Sequence, residues 1–374
     1  MKITEFKTHE FKTMERDYRG KYGYWIYPVE ILKTEPSEAT TTLVELVTDT
    51  GVSGYWIPRG GAPAPWIQEL AIGRDPLDRQ WFWQLSRGDM ALDMLLWDFA
   101  GRYFEQPVHK LLGSYRDKIK CYASSYPNMG PPETFADHAQ ACVERGYRAY
   151  KIHAYMWYDP INMEPAPRSP AFPKQDVDVC RAVRERVGDD IVLMLDQAGI
   201  YNYEEALYVG RELEELNFFW FESPMPENNI EPYIRLTENL NVPVCAPEQL
   251  GNLPYSRTEW IVRKAADMGR TEVNFNGITG CAKSVALYES FGMRATIHGG
   301  GWGNLQIYAS TDVNTIEYFE RGLLAPGFDE AYEVPPPYMK EICDPFDGEG
   351  NVLISQKPGL GFELNWDYID DNRV

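Results

Sequence analysis

Three acidic residues each close an apolar run: Asp196 ends IVLMLD, Glu222 ends FFWFE and Glu248 ends VCAPE, at intervals of 26 residues. That interval is one strand plus one helix, so the acids fall at equivalent heights on neighbouring strands. Carboxylates held that close repel one another unless a cation lies between them. Three oxygen donors with positions left open for water and substrate suit Mg²⁺, one ion per site. Lys151 and His153, in RAYKIHAY, are two apart and share one side of a strand. A lysine inside a barrel is expensive unless it faces carboxylates or an anionic ligand. His298 ends another apolar run and precedes GGGWGN, a run that lets backbone approach a ligand. With the acids between His298 and the Lys151–His153 pair, the arrangement is that of two-sided proton transfer.

Holding these residues in register requires a repeated strand–helix unit. From Cys121 onward the runs KIKCYAS, RAYKIHAY, IVLMLDQ, FFWFESP, VPVCAPEQ, EVNF, MRATIHGG and NTIEYFE alternate with amphipathic segments such as PETFADHAQACVERG and YEEALYVGRELEELN. Eight such units predict an α/β fold, a (β/α)8-type TIM barrel with its site at the C-terminal ends of the strands. Residues 1–60 read as antiparallel strands with TDTG as a turn. Residues 75–113 turn helical, with Leu92, Leu95, Leu96 and Phe99 on one face. The expected division is an α+β domain over 1–120, a barrel over 121–339 and a tail, 340–374, that packs back on the first domain. The connection from Ala154 to Gln175 holds Pro160, Pro165, Pro167, Pro170 and Pro173, and its length marks it as a lid or binding element.

Composition narrows the class. The 374 residues are 44% hydrophobic and 25% charged, values of a globular protein. A net charge of −20 argues against nucleic acid and anionic membranes as partners. No apolar run approaches the roughly 18 residues of a membrane helix, and the N-terminus lacks a secretory apolar core. Six cysteines without metal or redox spacing read as buried thiols in a reducing compartment, so a cytoplasmic location is expected. The 11 Trp, 24 Tyr and 16 Phe supply core and pocket walls.

Taken together the motifs resemble the enolase superfamily, mandelate-racemase-like subgroup, over nearly the whole chain. DMALDMLLWDFAGRYFEQPVHKLLG is similar to that family's junction between capping domain and barrel. Asp196, Glu222 and Glu248 match its Mg²⁺ ligands on strands three, four and five, and NGITG at 276–280 resembles its GGITG stretch. The resemblance implies a modified barrel under an N-terminal cap, a Lys or His base, and a metal that stabilises the enediolate. It also implies a homo-oligomer. Three departures matter. The usual Lys-x-Lys becomes Lys151-Ile152-His153, which makes His153 the expected base and Lys151 its rival. The strand-six acid that pairs with the strand-seven His falls on Glu272 if one residue is deleted, and on Thr271 if none is. Ala198 stands where several family dehydratases carry a His base, which disfavours those subtypes. Glu317, in NTIEYFE, matches the strand-eight acid that hydrogen-bonds the substrate carboxylate in the family's racemases.

The reaction expected is removal of the proton beside a carboxylate, with the extra charge stabilised by Mg²⁺. With His298 protonating a departing β-hydroxyl, a sugar acid becomes a 2-keto-3-deoxy acid. Racemisation or epimerisation uses the same residues, with His298 reprotonating the carbon from the opposite face. A barrel that binds metal without turnover, or a hydrolase using metal-bound water, is a third reading; a hydrolase has no use for Lys151 opposite His298. Candidate substrate contacts are Arg16, Arg19, Lys21, Tyr22 and Tyr24 in the first domain, Trp56 and Arg59 in WIPRGGAP, and Trp302 beside His298.

Overall fold

The computed structural model describes residues 1–16, 33–86, 88–166, 171–248, 250 and 254–374. Three strands rich in β-branched residues, β1 (Ile3–Glu15), β2 (Ser37–Thr48) and β3 (Ser53–Trp56), form an antiparallel sheet in that order. Helices α1 (Pro65–Ala71), α2 (Arg79–Leu85), α3 (Met90–Tyr103) and α4 (Val108–Leu112) follow. Asp89 caps α3 by accepting from the Leu92 N–H. Leu92, Leu95, Leu96 and Phe99 pack against Ile3, Val44 and Leu46 of the sheet, while Met94 and Trp97 join the main core on the other side. α3 is therefore buried all round.

The next strands are β4 (Lys118–Ser125), β5 (Ala149–Ile152) and, in the long connection, the short pair β6 (Tyr158–Asp159) and β7 (Glu164–Pro165). β8 (Val192–Asp196), β9 (Trp220–Glu222), β10 (Val244–Cys245), β11 (Met268–Thr271), β12 (Arg294–Ile297) and β13 (Tyr318–Leu324) complete the parallel set. Between them run α5 (Pro132–Glu144), α6 (Pro173–Val187), α7 (Tyr203–Glu215), α8 (Glu231–Asn239), α9 (Arg257–Val262), α10 (Val273–Ser290), α11 (Trp302–Ser310) and α12 (Asp329–Tyr332). The sheet order is β12-β11-β10-β9-β8-β5-β4-β13, so the strands run once around in chain order and the last pairs with the first. This is the expected α/β barrel class. No described helix is long and apolar enough to cross a membrane.

Strand alternation stacks two layers inside this ring. Tyr122, Ala149, Met194, Trp220, Cys245 and Met268, with Tyr318 against them, form an apolar floor. Two residues further along the same strands stand Ser124, Lys151, Asp196, Glu222, Arg270 and Glu320, all buried. A period of two makes each polar residue share the inward face of its floor residue, one step nearer the mouth.

Two strands lie elsewhere than expected. The sixth is Met268–Thr271, and the predicted EVNF instead opens α10. The eighth begins at Tyr318, so the predicted NTIEYFE contributes only its last residues. In both, an inward-facing charged residue interrupts the apolar pattern by which a strand is recognised.

The NGITG stretch joins the first helices to the barrel. Thr279 donates to Asp93 of α3 through its N–H (3.0 Å) and its hydroxyl (2.6 Å), and itself accepts from the Trp97 indole. Burial, the largest influence, pushes Asp93 up to about 6 against these hydrogen bonds. Gly277 has φ 66° and ψ 178°, a conformation essentially restricted to glycine, and a Cβ there would meet Asp93 Oδ2 at 2.4 Å. The tail returns in two directions. β14 (Asn351–Leu353) adds antiparallel to β4, whereas the Leu360 N–H reaches Asp98 of α3 and α13 (Trp366–Asp371) packs beside β1. It is thus shared between barrel and first sheet.

Gly277→Ala is expected to lower stability by about 1–3 kcal/mol through the φ/ψ penalty, before any loss at Asp93 is counted. Urea unfolding followed by circular dichroism measures it; a change within 0.5 kcal/mol, about the scatter of a surface substitution, would contradict the join described here.

Candidate active site

Asp196 and Glu222 are the last residues of β8 and β9, and Glu248 follows β10. Their carboxylate oxygens lie within 4.8 Å of one another. The Ala198 N–H donates to Asp196 (3.1 Å), so position 198 acts on the site through its backbone. The Trp220 indole donates upward from the floor to Glu222 (2.9 Å). Buried Glu227 accepts from the Glu248 N–H (2.8 Å) and fixes the backbone that carries the third acid.

Two buried cations face these acids. Lys151 Nζ lies 3.1 Å from Asp196, 3.2 Å from Glu222 and 2.8 Å from Glu320. Arg270 lies 2.5 Å from Glu222, 3.2 Å from Glu320 and 3.7 Å from Glu248. Burial works against the charge on Lys151, but Glu222, Glu320 and Asp196 overcome it and hold the amine well above the usual lysine range. Glu320 behaves in mirror image. Burial raises it, and Lys151, Arg270 and His298 pull it well below the carboxylate range. Its oxygens are further occupied by the Ser124 hydroxyl (2.9 Å) and the Gly299 N–H (2.7 Å). Glu222 is left short of positive charge: burial, with repulsion from Asp196 and Glu320, pushes it up to about 8 despite Arg270 and Lys151.

An imidazole flanks each end of the trio. His153 Nε2 stands 3.1 Å from Asp196, and its Nδ1–H donates to the Ser125 carbonyl at 2.7 Å. A carbonyl only accepts, so Nδ1 carries the hydrogen, and Nε2 is the nitrogen turned toward the carboxylates. At the other end His298 Nε2 stands 3.4 Å from Glu248 and Nδ1 stands 3.1 Å from Glu272. Burial would lower His298, but Glu248 and Glu272 outweigh it and raise the ring to about 9. The backbone N–H of His298 donates to the Thr271 carbonyl (2.9 Å). Thr271 therefore meets His298 through its backbone, whereas Glu272 approaches it through its side chain.

Other expected residues lie apart. Glu317 precedes β13 at the far end of the strand and pairs with exposed Lys120 (2.7 Å); the strand-eight acid among the carboxylates is Glu320, three residues on. Glu320 bridges Lys151 and Arg270 and also accepts from the Ser124 hydroxyl and the Gly299 N–H. Arg16 donates to the Thr34 carbonyl at the end of β1. Trp302 is buried with its ring edge-on to Phe362, in the packing of α11 against the tail. Tyr24, with Arg19, Lys21 and Tyr22, lies outside the described residues. Sequence reading missed Arg270, Glu320, Ser124 and Glu227. The first three carry a signal, since each stands two residues beyond a floor residue on its strand.

The donor set fits a hard divalent cation. The ion-paired groups comprise five carboxylates (Asp196, Glu222, Glu248, Glu272, Glu320) against two permanent cations. With His298 protonated, two negative charges remain uncompensated, and the raised Glu222 is where that deficit appears.

Residues 134–368 match the family described as Enolase C-terminal domain-like. The chain is 26% identical over 364 residues to a D-gluconate dehydratase of Thermoproteus tenax, covering 89% of this chain and 69% of that protein. It is 28% identical over 290 residues to an arabinonate dehydratase of Saccharolobus solfataricus, covering 74% and 69%. The crystal structure of a D-glucarate dehydratase from Agrobacterium tumefaciens, complexed with magnesium, superposes with a TM-score of 0.88 at 34% identity, over 100% of this chain and 99% of that one. The chain belongs to the enolase superfamily, in its mandelate-racemase-like branch.

Proposed function

We propose that this protein dehydrates a sugar acid to a 2-keto-3-deoxy acid, with Asp196, Glu222 and Glu248 holding one Mg²⁺. The observation that carries the reading is the pair of imidazoles at opposite ends of the carboxylate trio, one beside Asp196 and the other between Glu248 and Glu272. The likeness to three sugar-acid dehydratases, one complexed with magnesium, supports it. When bound, the ion supplies positive charge to the substrate carboxylate as negative charge develops there.

The chain's own residues do the proton work. His153 Nε2 accepts the proton from the carbon beside the carboxylate, with its ring held by the Ser125 carbonyl. Lys151, ion-paired to Asp196, Glu222 and Glu320, contributes positive charge to the bound carboxylate. His298, kept protonated by Glu272 and Glu248, gives its proton to the β-hydroxyl as the carbon–oxygen bond breaks, so that water leaves. The resulting enol gains a proton on carbon as it loses its O–H proton, and becomes the keto acid. Racemisation would need the same two imidazoles but would release no keto acid.

His153→Asn is expected to abolish both keto-acid formation and exchange of the α proton with D₂O. His298→Asn is expected to cut dehydration by about 10²–10⁴-fold while leaving exchange in place. A panel of aldonic and aldaric acids assayed by proton NMR in D₂O reads both, and dehydration surviving in both variants would refute the assignment. Removal of the divalent ion with EDTA should abolish turnover and Mg²⁺ should restore it; activity unaffected by chelation contradicts the proposed ion. A third test concerns pH. A raised imidazole pKa means the acid form is present below about pH 9 and is lost as pH rises through that value. Glu272→Gln removes one source of the elevation, so the alkaline limb of the kcat/KM profile should move to lower pH; an unmoved limb would exclude Glu272 as the partner that keeps His298 acidic.

A further inference from the structure

His298 leaves β12 on a run of three glycines, Gly299, Gly300 and Gly301, the least constrained backbone a chain can offer. The ring it carries must nevertheless stay between Glu248 and Glu272. One side chain grips this run. Asn304, the third residue of α11, is 2% exposed. Its Nδ2 stands 2.9 Å from the His298 carbonyl, 2.7 Å from the Gly299 carbonyl and 3.2 Å from the Gly300 carbonyl. Carbonyls only accept, so the amide nitrogen is the atom turned toward them, and its two hydrogens serve three oxygens, one hydrogen being shared.

Successive carbonyls alternate sides along a strand, so gathering three around one nitrogen requires the chain to turn. Gly299 at φ 68° and Gly301 at φ 127° supply that turn. Gathered without a donor, the three oxygens would repel one another and lack partners. The rest of the backbone here is held from other strands. The His298 N–H donates to the Thr271 carbonyl (2.9 Å), and the Gly299 N–H donates to Glu320 (2.7 Å). The peptide before His298 is thus tied to β11. The peptide after it is tied twice, by Asn304 at its carbonyl and by Glu320 at its N–H. With both planes flanking the His298 Cα fixed, the direction of the Cα–Cβ bond is set and the ring keeps only its two side-chain torsions.

We propose that Asn304 is a positioning residue for His298, clamping the glycine turn that aims the imidazole at the carboxylate site. Its neighbours in α11, from Trp302 to Ala309, are all buried, so a leucine would suit the helix equally well. The amide is explained by the carbonyls it gathers. An acid that must reach one leaving oxygen depends on such a clamp, since misplacement by about 1 Å costs on the order of 10²-fold in rate.

The inference rests on His298 being the acid, and the experiment separates the two. Asn304→Ala, His298→Asn and the double variant are given the sugar acid that the parent turns over. Keto-acid formation and exchange of the α proton with D₂O are read by NMR, and folding is checked by circular dichroism. Asn304→Ala should lower kcat for dehydration by about 10- to 100-fold with KM within about twofold of the parent, and should leave exchange in place. In the His298→Asn background the same change should cost less than about twofold, because the clamp then has no acid to aim. A folded Asn304→Ala that dehydrates at the parental rate while His298→Asn does not overturns the positioning role alone, as does one that loses exchange and dehydration equally. Parental dehydration in His298→Asn overturns the reading beneath it. Should Asn304→Ala fail to fold, the unaltered protein labelled with ¹⁵N-asparagine decides. The Asn304 side-chain amide protons should exchange with D₂O about 10²-fold or more slowly than those of free asparagine, and exchange at the free rate refutes the clamp.

Discussion

A buried layer of mutually compensating charge governs this structure. Five carboxylates and two permanent cations stand at one level inside the barrel, nearly all of them out of solvent. Moving one such ion out of water costs several kcal/mol even after relaxation, so no member is tolerable alone. Lys151 and Arg270 each touch three acids, and Glu320 ties the two cations together. The apolar floor beneath serves this layer as well: it keeps water from entering below and, through the Trp220 indole, supplies a hydrogen bond to Glu222.

The same layer contacts both histidines of the proposed reaction. His153 has its outer nitrogen on the neutral Ser125 carbonyl and its inner one beside Asp196. His298 has its outer nitrogen beside Glu272 and its inner one beside Glu248, and both favour the imidazolium. In the proposed reaction the first ring serves as proton acceptor and the second as donor.

Cap and barrel meet through a different set of buried contacts, centred on Asp93 and the NGITG turn. This motif, which carried much of the family resemblance, serves architecture: glycine at 277 lets the chain pass Asp93 closely, and Thr279 completes the hydrogen bonds. The tail reinforces the union by pairing with β4 while its Leu360 N–H reaches Asp98.

Asp196, Glu222 and Glu248 were legible in the chain because each closes an apolar run of strand length, and Lys151 and His153 because spacing by two puts them on one face. Local sequence carries such information, since a strand's alternation is imposed by its own backbone. Glu320 and Arg270 escaped notice for the converse reason: an inward-facing charge breaks the apolar pattern of its own strand, and the groups that make it affordable lie on other strands. The choice of Glu320 over Glu317, or of Glu272 over Thr271, turns on where β13 begins and how the turn after β11 aims a side chain. Those are properties of packing across the barrel, where residues about 50 or more positions apart, such as Lys151 with Glu320 and Arg270 with Glu320, settle each other's charge. Electrostatic compensation acts through space, and only the closed ring of strands brings its partners together.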